Sequence, residues 1–260
     1  MNTLVFDIQG SFAHFRKFYA NSSSLSYEFP PRTVLCGILA GIIGLERDSY
    51  YEAFSEDQVF IALQIRTPTK RISQNVNYYW VKSTQDLNGS GGRMQIPLEW
   101  VVNGSGVGRG HLSYRVYVHH RDRSIHEQLA SYIRSNHSRF PISLGITEAL
   151  GSMHYVEDVQ CVAVSNSSDV EIATVSPIHF LEDITYADYD EFKRLYMRDR
   201  IPCAFDTDRM LSAVTQVVYE PQGHGIMAKP KSVVFRVAVE GYDYFILPMQ
   251  SENGRSWGYV

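Results

Sequence analysis

Cysteine is scarce in this sequence, which has three among its 260 residues, Cys36, Cys161 and Cys203. They are widely spaced and form no Cys-x-x-Cys pair, so the pattern argues against a zinc knuckle and against a disulfide framework. The His-Glu-x-x-His spacing of a helical zinc site does not occur either. We therefore expect three buried thiols in a reducing compartment, and neither a metal site nor a cofactor.

Long apolar runs are also missing. No stretch of about 18 apolar residues occurs that could form a membrane-spanning helix. The nearest candidate, Val34–Leu45, has the length of a buried core helix. The first residues include an acid, Asp7, and lack the basic stretch of a secretory signal. We expect a cytoplasmic protein with no membrane partner.

Two common enzyme motifs are absent or incomplete. The Gly-x-Ser-x-Gly motif of α/β-hydrolases does not occur. Gly104–Gly110 has the glycine density of a phosphate-binding loop, but it lacks the Walker order and precedes a predicted strand instead of a helix. We interpret it as a turn or loop whose Arg109 can contact a phosphate.

Positive charge is unevenly distributed. The sequence has 24 Lys and Arg against 28 Asp and Glu, a formal net charge of −4. Residues 61–120 nevertheless hold 7 basic and 2 acidic side chains, whereas the segments on either side are net acidic. This asymmetry favours one surface for a polyanion, although a solvated loop with chance lysines and arginines would give the same count.

Hydrophobic periodicity predicts alternating strands and helices in the first 165 residues. An apolar helix is expected after Pro30-Pro31, capped by Thr33 and ending near Gly44, and a short helix over Asp48–Phe54. A second long helix is expected to begin with a capping box formed by Ser124 and Glu127. Strands are predicted at Thr3–Ile8, Gln58–Arg66, His111–His120 and Val156–Val164.

This order matches the βαββαβ pattern of a ferredoxin-like, RRM-like α+β domain over residues 1–165. An excursion of about residues 70–110 separates its second and third strands and holds most of the excess positive charge. Residues 166–260 are expected to form a smaller β-rich region that ends in a frayed tail from Ser251.

Basic and aromatic residues are interleaved in two segments outside the core elements. The first is Gln9–Thr33, and the second is the excursion at about 70–110. Cations can bind phosphates, hydroxyls can donate hydrogen bonds and aromatic rings can stack on bases, so both segments indicate a nucleic-acid surface. The alternative is that these aromatic rings pack beneath the loops.

His119 and His120 close a predicted strand. With a nearby tyrosine they could act as base and acid in metal-independent RNA cleavage. The sequence equally fits a histidine pair without a catalytic role.

Phe6–Leu45 combines a strand ending in glycine, an aromatic and basic loop, a Pro-Pro-Arg-Thr turn and an apolar helix containing glycines. This segment resembles the CRISPR-associated RAMP-superfamily subunit that caps the crRNA 5′ handle in Cascade, the fifth Cas family, and the type I-B branch looks most similar. Gln95–Val118 is similar to the stretch that follows the thumb of that family.

The resemblance implies a ferredoxin-like RAMP domain with a long β-hairpin thumb at about 70–110 and a small C-terminal β region. It implies a non-catalytic subunit that binds the crRNA 5′ handle and links the Cascade backbone subunits to the large PAM-recognising subunit. Target DNA near its PAM-proximal end would then lie close by, and guide pairing would read the target sequence.

The resemblance leaves two alternatives. One branch of the family, type I-C, cleaves pre-crRNA itself with Tyr, Lys and His, but the residues before His119 and His120 are Val118 and His119, not Lys. The main expectation is therefore binding without catalysis, and the first alternative is an endoribonuclease that uses His119 and His120. The second alternative is an assembly protein with minor RNA contacts.

The residues expected to bind RNA are basic, aromatic or hydroxyl side chains of the two segments. They are His14, Arg16, Lys17, Tyr19, Ser22, Tyr27, Arg32, Thr33, Lys70, Arg71, Trp80, Lys82, Arg93 and Arg109.

Overall fold

The computed structural model describes residues 1–20, 23–166, 168–185, 194–231, 233–254 and 257. Over these ranges it is rich in strands and has two α-helices, α1 (Arg32–Ile43) and α2 (Arg123–Arg134). The strands of the first part are β1 (Asn2–Gly10), β2 (Phe12–Ala13), β3 (Phe15–Arg16), β4 (Ser26–Tyr27), β5 (Val59–Ile65), β6 (Thr69–Tyr79), β7 (Arg93–Asn103), β8 (Leu112–His120) and β9 (Gly151–Gln160). The later strands are β10 (Val162–Ser165), β11 (Val170–Ile172), β12 (Ser176–Pro177), β13 (Leu181–Ile184), β14 (Met197–Phe205), β15 (Leu211–Tyr219), β16 (Ile226–Pro230), β17 (Val233–Val239) and β18 (Tyr242–Ile246). Short 3-10 turns cover Thr84–Asn88 and Ile178–Phe180.

An antiparallel sheet with strand order β5-β8-β1-β9 lies at the centre of the region formed by β1 to β9. Helix α1 lies in the chain between β1 and β5, and α2 lies between β8 and β9. One face of β8 presents the predicted apolar set, Leu112, Tyr114, Val116 and Val118, to the same core as both helices. Its other face presents Tyr117 to a second core shared with β17 and β18. Both faces of the sheet are therefore covered, which is why β8 is almost entirely buried.

Local sequence signals predicted one end of helix α1 correctly and the other end incorrectly. Helix α1 ends as predicted, because Gly44 adopts the left-handed conformation at φ 81° that favours glycine. The predicted cap at Thr33 is wrong: the extended residue before the helix is Pro31, so Thr33 already lies inside the first turn.

Two other helix predictions need correction. Asp122 caps α2, because its carboxylate accepts hydrogen bonds from the backbone N–H of Ser124 and Ile125. The predicted capping box is therefore wrong, and the helix begins one residue before Ser124. The segment 48–54 forms turns instead of the predicted short helix.

The excursion between the second and third strands of the central sheet is a long hairpin. Strands β6 and β7 pair without a register shift from Thr69 opposite Asn103 to Tyr79 opposite Arg93. A strand of this length extends about 35 Å. Pro97 does not interrupt β7. On the side of β7 that faces away from β6, the strand at this point makes only a short bridge to Ser24. The outer half of the hairpin projects from the body, and its side chains are largely exposed.

The later strands form a six-stranded sheet, β10-β17-β18-β11-β16-β13, and a three-stranded sheet, β12-β15-β14. The prediction of a frayed tail is wrong for its described residues. Ser251 hydrogen-bonds to the carboxylate of Glu56, and the Trp257 indole N–H donates to the Glu56 carbonyl at 3.2 Å. Trp257 is anchored because its ring packs against the buried Phe60.

All three cysteines are buried free thiols, as the sequence predicted. None of the helices in the described ranges has the length and apolar character needed to cross a membrane.

Candidate nucleic-acid interface

The aromatic and basic segment after β1 is folded against the base of the hairpin. Strands β3 and β4 pair within it, and β2 pairs with β7. His14 is buried, with Nδ1 2.7 Å from the Glu99 carbonyl and Nε2 3.0 Å from the Ser24 hydroxyl. Phe15, Tyr27 and Phe29 are fully buried, so part of the aromatic set does pack beneath the loop.

A cleft of about 450 Å³ separates this segment from the outer half of the hairpin. Arg16, Ser23 and Ser24 line one wall, and side chains of the hairpin line the other. The hairpin residues that line the cleft are Tyr78, Tyr79, Trp80, Val81, Lys82, Met94 and Ile96. We call this opening the loop–hairpin cleft.

The loop–hairpin cleft places cations beside exposed rings. Tyr78 is 51% exposed and Trp80 is 39% exposed. The ammonium of Lys82 lies 4.9 Å from the centroid of the Trp80 ring. Arg16, which is exposed, lines the same cleft from the loop. Such an arrangement can neutralise phosphates and stack bases in the same opening.

Lys17 and Tyr19 both contact the C-terminal region. The Lys17 ammonium lies 2.6 Å from one carboxylate oxygen of Asp199, and the Tyr19 hydroxyl donates to the other at 2.7 Å. Burial, reinforced by the hydrogen bond to Asp199, raises the pKa of Tyr19 above its ordinary value. The Tyr27 hydroxyl donates to the Arg200 carbonyl, and burial raises the pKa of Tyr27 far above its usual range. The charge of Lys17 is therefore already paired inside the protein.

Arg32 lies in the interior, with 2% of its surface exposed. Its guanidinium donates to the carbonyls of Cys203 at 2.9 Å, Ser55 at 3.0 Å and Phe54 at 3.1 Å, and more weakly to Val59. In this arrangement the side chain stabilises the junction of several segments and is not open to a phosphate. Thr33 follows it in the first turn of α1, away from the loop–hairpin cleft.

The remaining predicted residues are spread along the hairpin. The Arg71 guanidinium is paired with Glu28 at 2.9 Å and lies 3.9 Å from Glu99. Lys70, Arg93 and Arg109 are exposed, with Lys70 near the base, Arg93 near the tip and Arg109 in the loop after β7. Ser22 lies outside the described residues.

Of the predicted set, the structure brings Arg16, Trp80 and Lys82 together around one cleft. The predicted site residues do not include Tyr78, Ser23 and Ser24, although Tyr78 belongs to the interleaved basic and aromatic pattern of the second segment. Tyr78 could have been found, because strand alternation places it on the same face as Trp80.

The two histidines of the alternative hypothesis occupy different environments. His120 is buried, with Nε2 2.8 Å from the Ala53 carbonyl and Nδ1 accepting the backbone N–H of Asp122 at 3.0 Å. His119 is partly exposed, and its Nδ1 lies 2.6 Å from the Asn2 carbonyl. Burial lowers the pKa of both rings, which favours their neutral forms. Both ring nitrogens of His120 are therefore occupied within the fold.

Comparisons with solved structures show that the chain shares its fold with a CRISPR protein. A CRISPR protein from Archaeoglobus fulgidus superposes with a TM-score of 0.53 and 10% identity, over 94% of this chain and 98% of that protein. A chain of a CRISPR RNA-guided surveillance complex aligns with a TM-score of 0.46 and 10% identity, over 88% of this chain and 91% of its own length. No protein-family model and no curated protein matches the sequence.

At the level of the fold, the chain is therefore similar to a CRISPR-associated protein, which agrees with the resemblance found in the sequence.

Proposed function

We propose that this chain is a non-catalytic subunit of a type I CRISPR Cascade complex and that it binds the 5′ handle of the crRNA in the loop–hairpin cleft. In this account residues 1–165 are a ferredoxin-like βαββαβ domain, the β6–β7 hairpin is its thumb, and residues 166–260 are the smaller β region. The order β5-β8-β1-β9, with a helix in each crossover, supports this assignment.

The observation that carries the proposal is the composition of the loop–hairpin cleft. Arg16 lines the cleft from the loop and Lys82 lines it from the hairpin, where Tyr78 and Trp80 offer exposed rings. Charge alone would suit any polyanion, whereas exposed rings favour unstacked bases of a single strand. A short single-stranded RNA such as a guide handle has both features.

The proposal also extends to the partners. The chain would join the backbone subunits of the complex to the large PAM-recognising subunit, near the PAM-proximal end of the target DNA. It would act in the cytoplasm in antiviral defence or guided DNA targeting. The fold shared with a CRISPR protein supports membership of such a system.

The test is binding of labelled 5′-handle RNA to the purified chain, alone and within its complex. Trp80→Ala removes a stacking surface, which we expect to weaken binding by about 1–3 kcal/mol. Arg123→Ala is the matched control, because Arg123 is 90% exposed on α2 and does not line the loop–hairpin cleft. Equal affinity of the Trp80→Ala variant and the wild type would reject this cleft as the RNA site.

A further inference from the structure

The outer edge of β6 carries a row of unpaired backbone groups. In the sheet β2-β7-β6, strand β6 is at the edge and pairs only with β7. The Trp80 N–H donates to the Gly92 carbonyl across the hairpin, whereas the Thr69 N–H points away from β7 and donates to Pro221. Because these directions alternate along a strand, the N–H and C=O groups of Ser73, Asn75, Asn77 and Tyr79 face outward.

After Lys70 and Arg71 near its start, this edge lacks the features that usually keep edge strands from pairing with other chains. Exposed edges are normally blunted by charge, proline, a bulge or short length. Ile72–Val81 carries no charged residue and no proline, and the pairing with β7 contains no bulge. By contrast, edge strand β14 contains Arg198, Asp199, Arg200 and Pro202, and edge strand β10 is only 4 residues long.

The outward backbone groups of Ser73 to Tyr79 have no hydrogen-bond partner within the described part of the chain. The side chains around them are exposed as well, with Tyr79 at 61% and Val81 at 47%. A regular, uncharged and uncovered edge of this kind is a template for strand addition. We infer that the outer edge of β6 receives an extended strand from another protein subunit.

The backbone groups and the lack of charge along this edge favour binding of a protein strand over binding of nucleic acid. A phosphate backbone needs cations, and Ile72–Val81 provides none, because the cations lie beyond its two ends, at Arg71 and Lys82. An extended peptide instead offers alternating N–H and C=O groups that match the edge. A self-paired dimer is disfavoured, because one short strand pair buries far less than the roughly 1,200 Å² of a stable interface. The occupant is therefore a subunit that other contacts also hold in place, and this inference rests on the proposed role in a multisubunit complex.

The direct test is hydrogen–deuterium exchange of individual backbone amides. It is measured on the isolated chain and on the complex that is purified with a tagged form of this chain. In the isolated chain the amides of Ser73, Asn75, Asn77 and Tyr79 should exchange fast, while those of Gln74, Val76 and Tyr78 are protected by β7. In the complex the first set should slow at least tenfold. Unchanged exchange of these outward amides in the complex would overturn the inference.

Three variants separate main-chain pairing from side-chain contacts. Asn77→Pro removes an outward N–H, which an edge strand tolerates, and should weaken subunit binding at least tenfold. Asn77→Ala keeps that N–H and should bind as the wild type does. Asn75→Lys places a charge on the edge without altering the backbone, and we expect it to weaken subunit binding as well. It replaces the Asn77→Pro variant in the test if that variant is unstable. Equal binding by all three variants would contradict strand addition.

Further controls identify the occupant and separate this inference from the RNA proposal. Protection of the outward amides by guide RNA alone would overturn the inference, and so would dimers in sedimentation that the Asn77→Pro variant abolishes. Normal RNA affinity of the Asn77→Pro variant with lost subunit binding supports the inference. If the chain does not bind RNA but the outward amides are protected in the complex, the RNA proposal is rejected and the strand-addition inference is supported.

Discussion

The ammonium of Lys17 and the carboxylate of Asp199 lie 2.6 Å apart and join the N-terminal loop to strand β14. Both side chains are about nine-tenths buried, at 10% and 8% exposure. The ion pair ties one wall of the loop–hairpin cleft to the C-terminal region, so the position of Arg16 depends on a contact made far along the chain.

Lys17→Met should destabilise the fold, because it leaves the Asp199 carboxylate buried without its cation. We expect the free energy of unfolding to fall by about 3 kcal/mol in denaturant titrations. Lys17→Met combined with Asp199→Asn removes the uncompensated charge and should recover most of that loss. A single variant as stable as the wild type would show that the pair contributes little.

Arg32→Lys should lower stability without a specific effect on RNA binding. The two terminal guanidinium nitrogens donate from separate positions, one to Cys203 and the other to Phe54 and Ser55, and a single ammonium nitrogen cannot occupy both. We therefore expect a loss of about 2–4 kcal/mol. The affinity for handle RNA, measured where the variant is fully folded, should match that of the wild type. A stable Arg32→Lys variant with much weaker RNA binding would instead restore the direct RNA contact that the sequence suggested.

Acidification should destabilise the protein partly through His120. Burial lowers the pKa of His120 below its ordinary value of 6.5, so the unfolded chain binds the proton more readily. Its stabilising contribution is complete above about pH 6.5 and is lost as the pH falls towards its pKa in the folded state. Thermal unfolding should show a smaller difference between pH 7.5 and pH 5 in His120→Gln than in the wild type.

His111→Gln is the control for this pH dependence, because His111 is exposed at the start of the same strand segment. It should keep the wild-type difference between the two pH values. If His120→Gln keeps that difference too, protonation of His120 does not contribute to acid destabilisation.

Repeat RNA should stay intact when it is incubated with the protein in EDTA. His120 has both ring nitrogens engaged within the fold, so it is poorly placed to take a proton from RNA. A denaturing gel with RNA alone as the reference checks this expectation. Shortened RNA whose formation disappears in the His119→Ala/His120→Ala double variant would establish the endoribonuclease alternative.

The sequence predicted those features that depend on neighbouring residues. The alternation of Leu112, Tyr114, Val116 and Val118 predicted the buried face of β8, and Gly44 predicted the end of α1. The capping-box pattern of Ser124 and Glu127 predicted the wrong cap for α2, because Asp122, two residues before Ser124, accepts the first backbone hydrogen bonds of the helix.

Features that depend on distant residues could not be predicted. The carbonyls that hold Arg32 belong to residues 54–59 and to Cys203, and the partner of Lys17 is Asp199. Nothing near Arg32 or Lys17 distinguishes them from Arg16, which remains exposed beside the loop–hairpin cleft. Composition thus indicated the two segments that form the cleft. Tertiary contacts determine which of their cations remain exposed and available to a ligand.

In the proposed function, Arg16 and Lys82 of the loop–hairpin cleft contact the phosphates of a single-stranded RNA. The most direct measurement is the salt dependence of handle-RNA binding for the wild type and for the Arg16→Ala/Lys82→Ala double variant. Each lost phosphate contact should reduce the slope of log affinity against log salt by about 0.7, so the double variant should show a slope shallower by about 1.4. An identical slope in both proteins would contradict the account, because the cations of the cleft would then take no part in RNA binding.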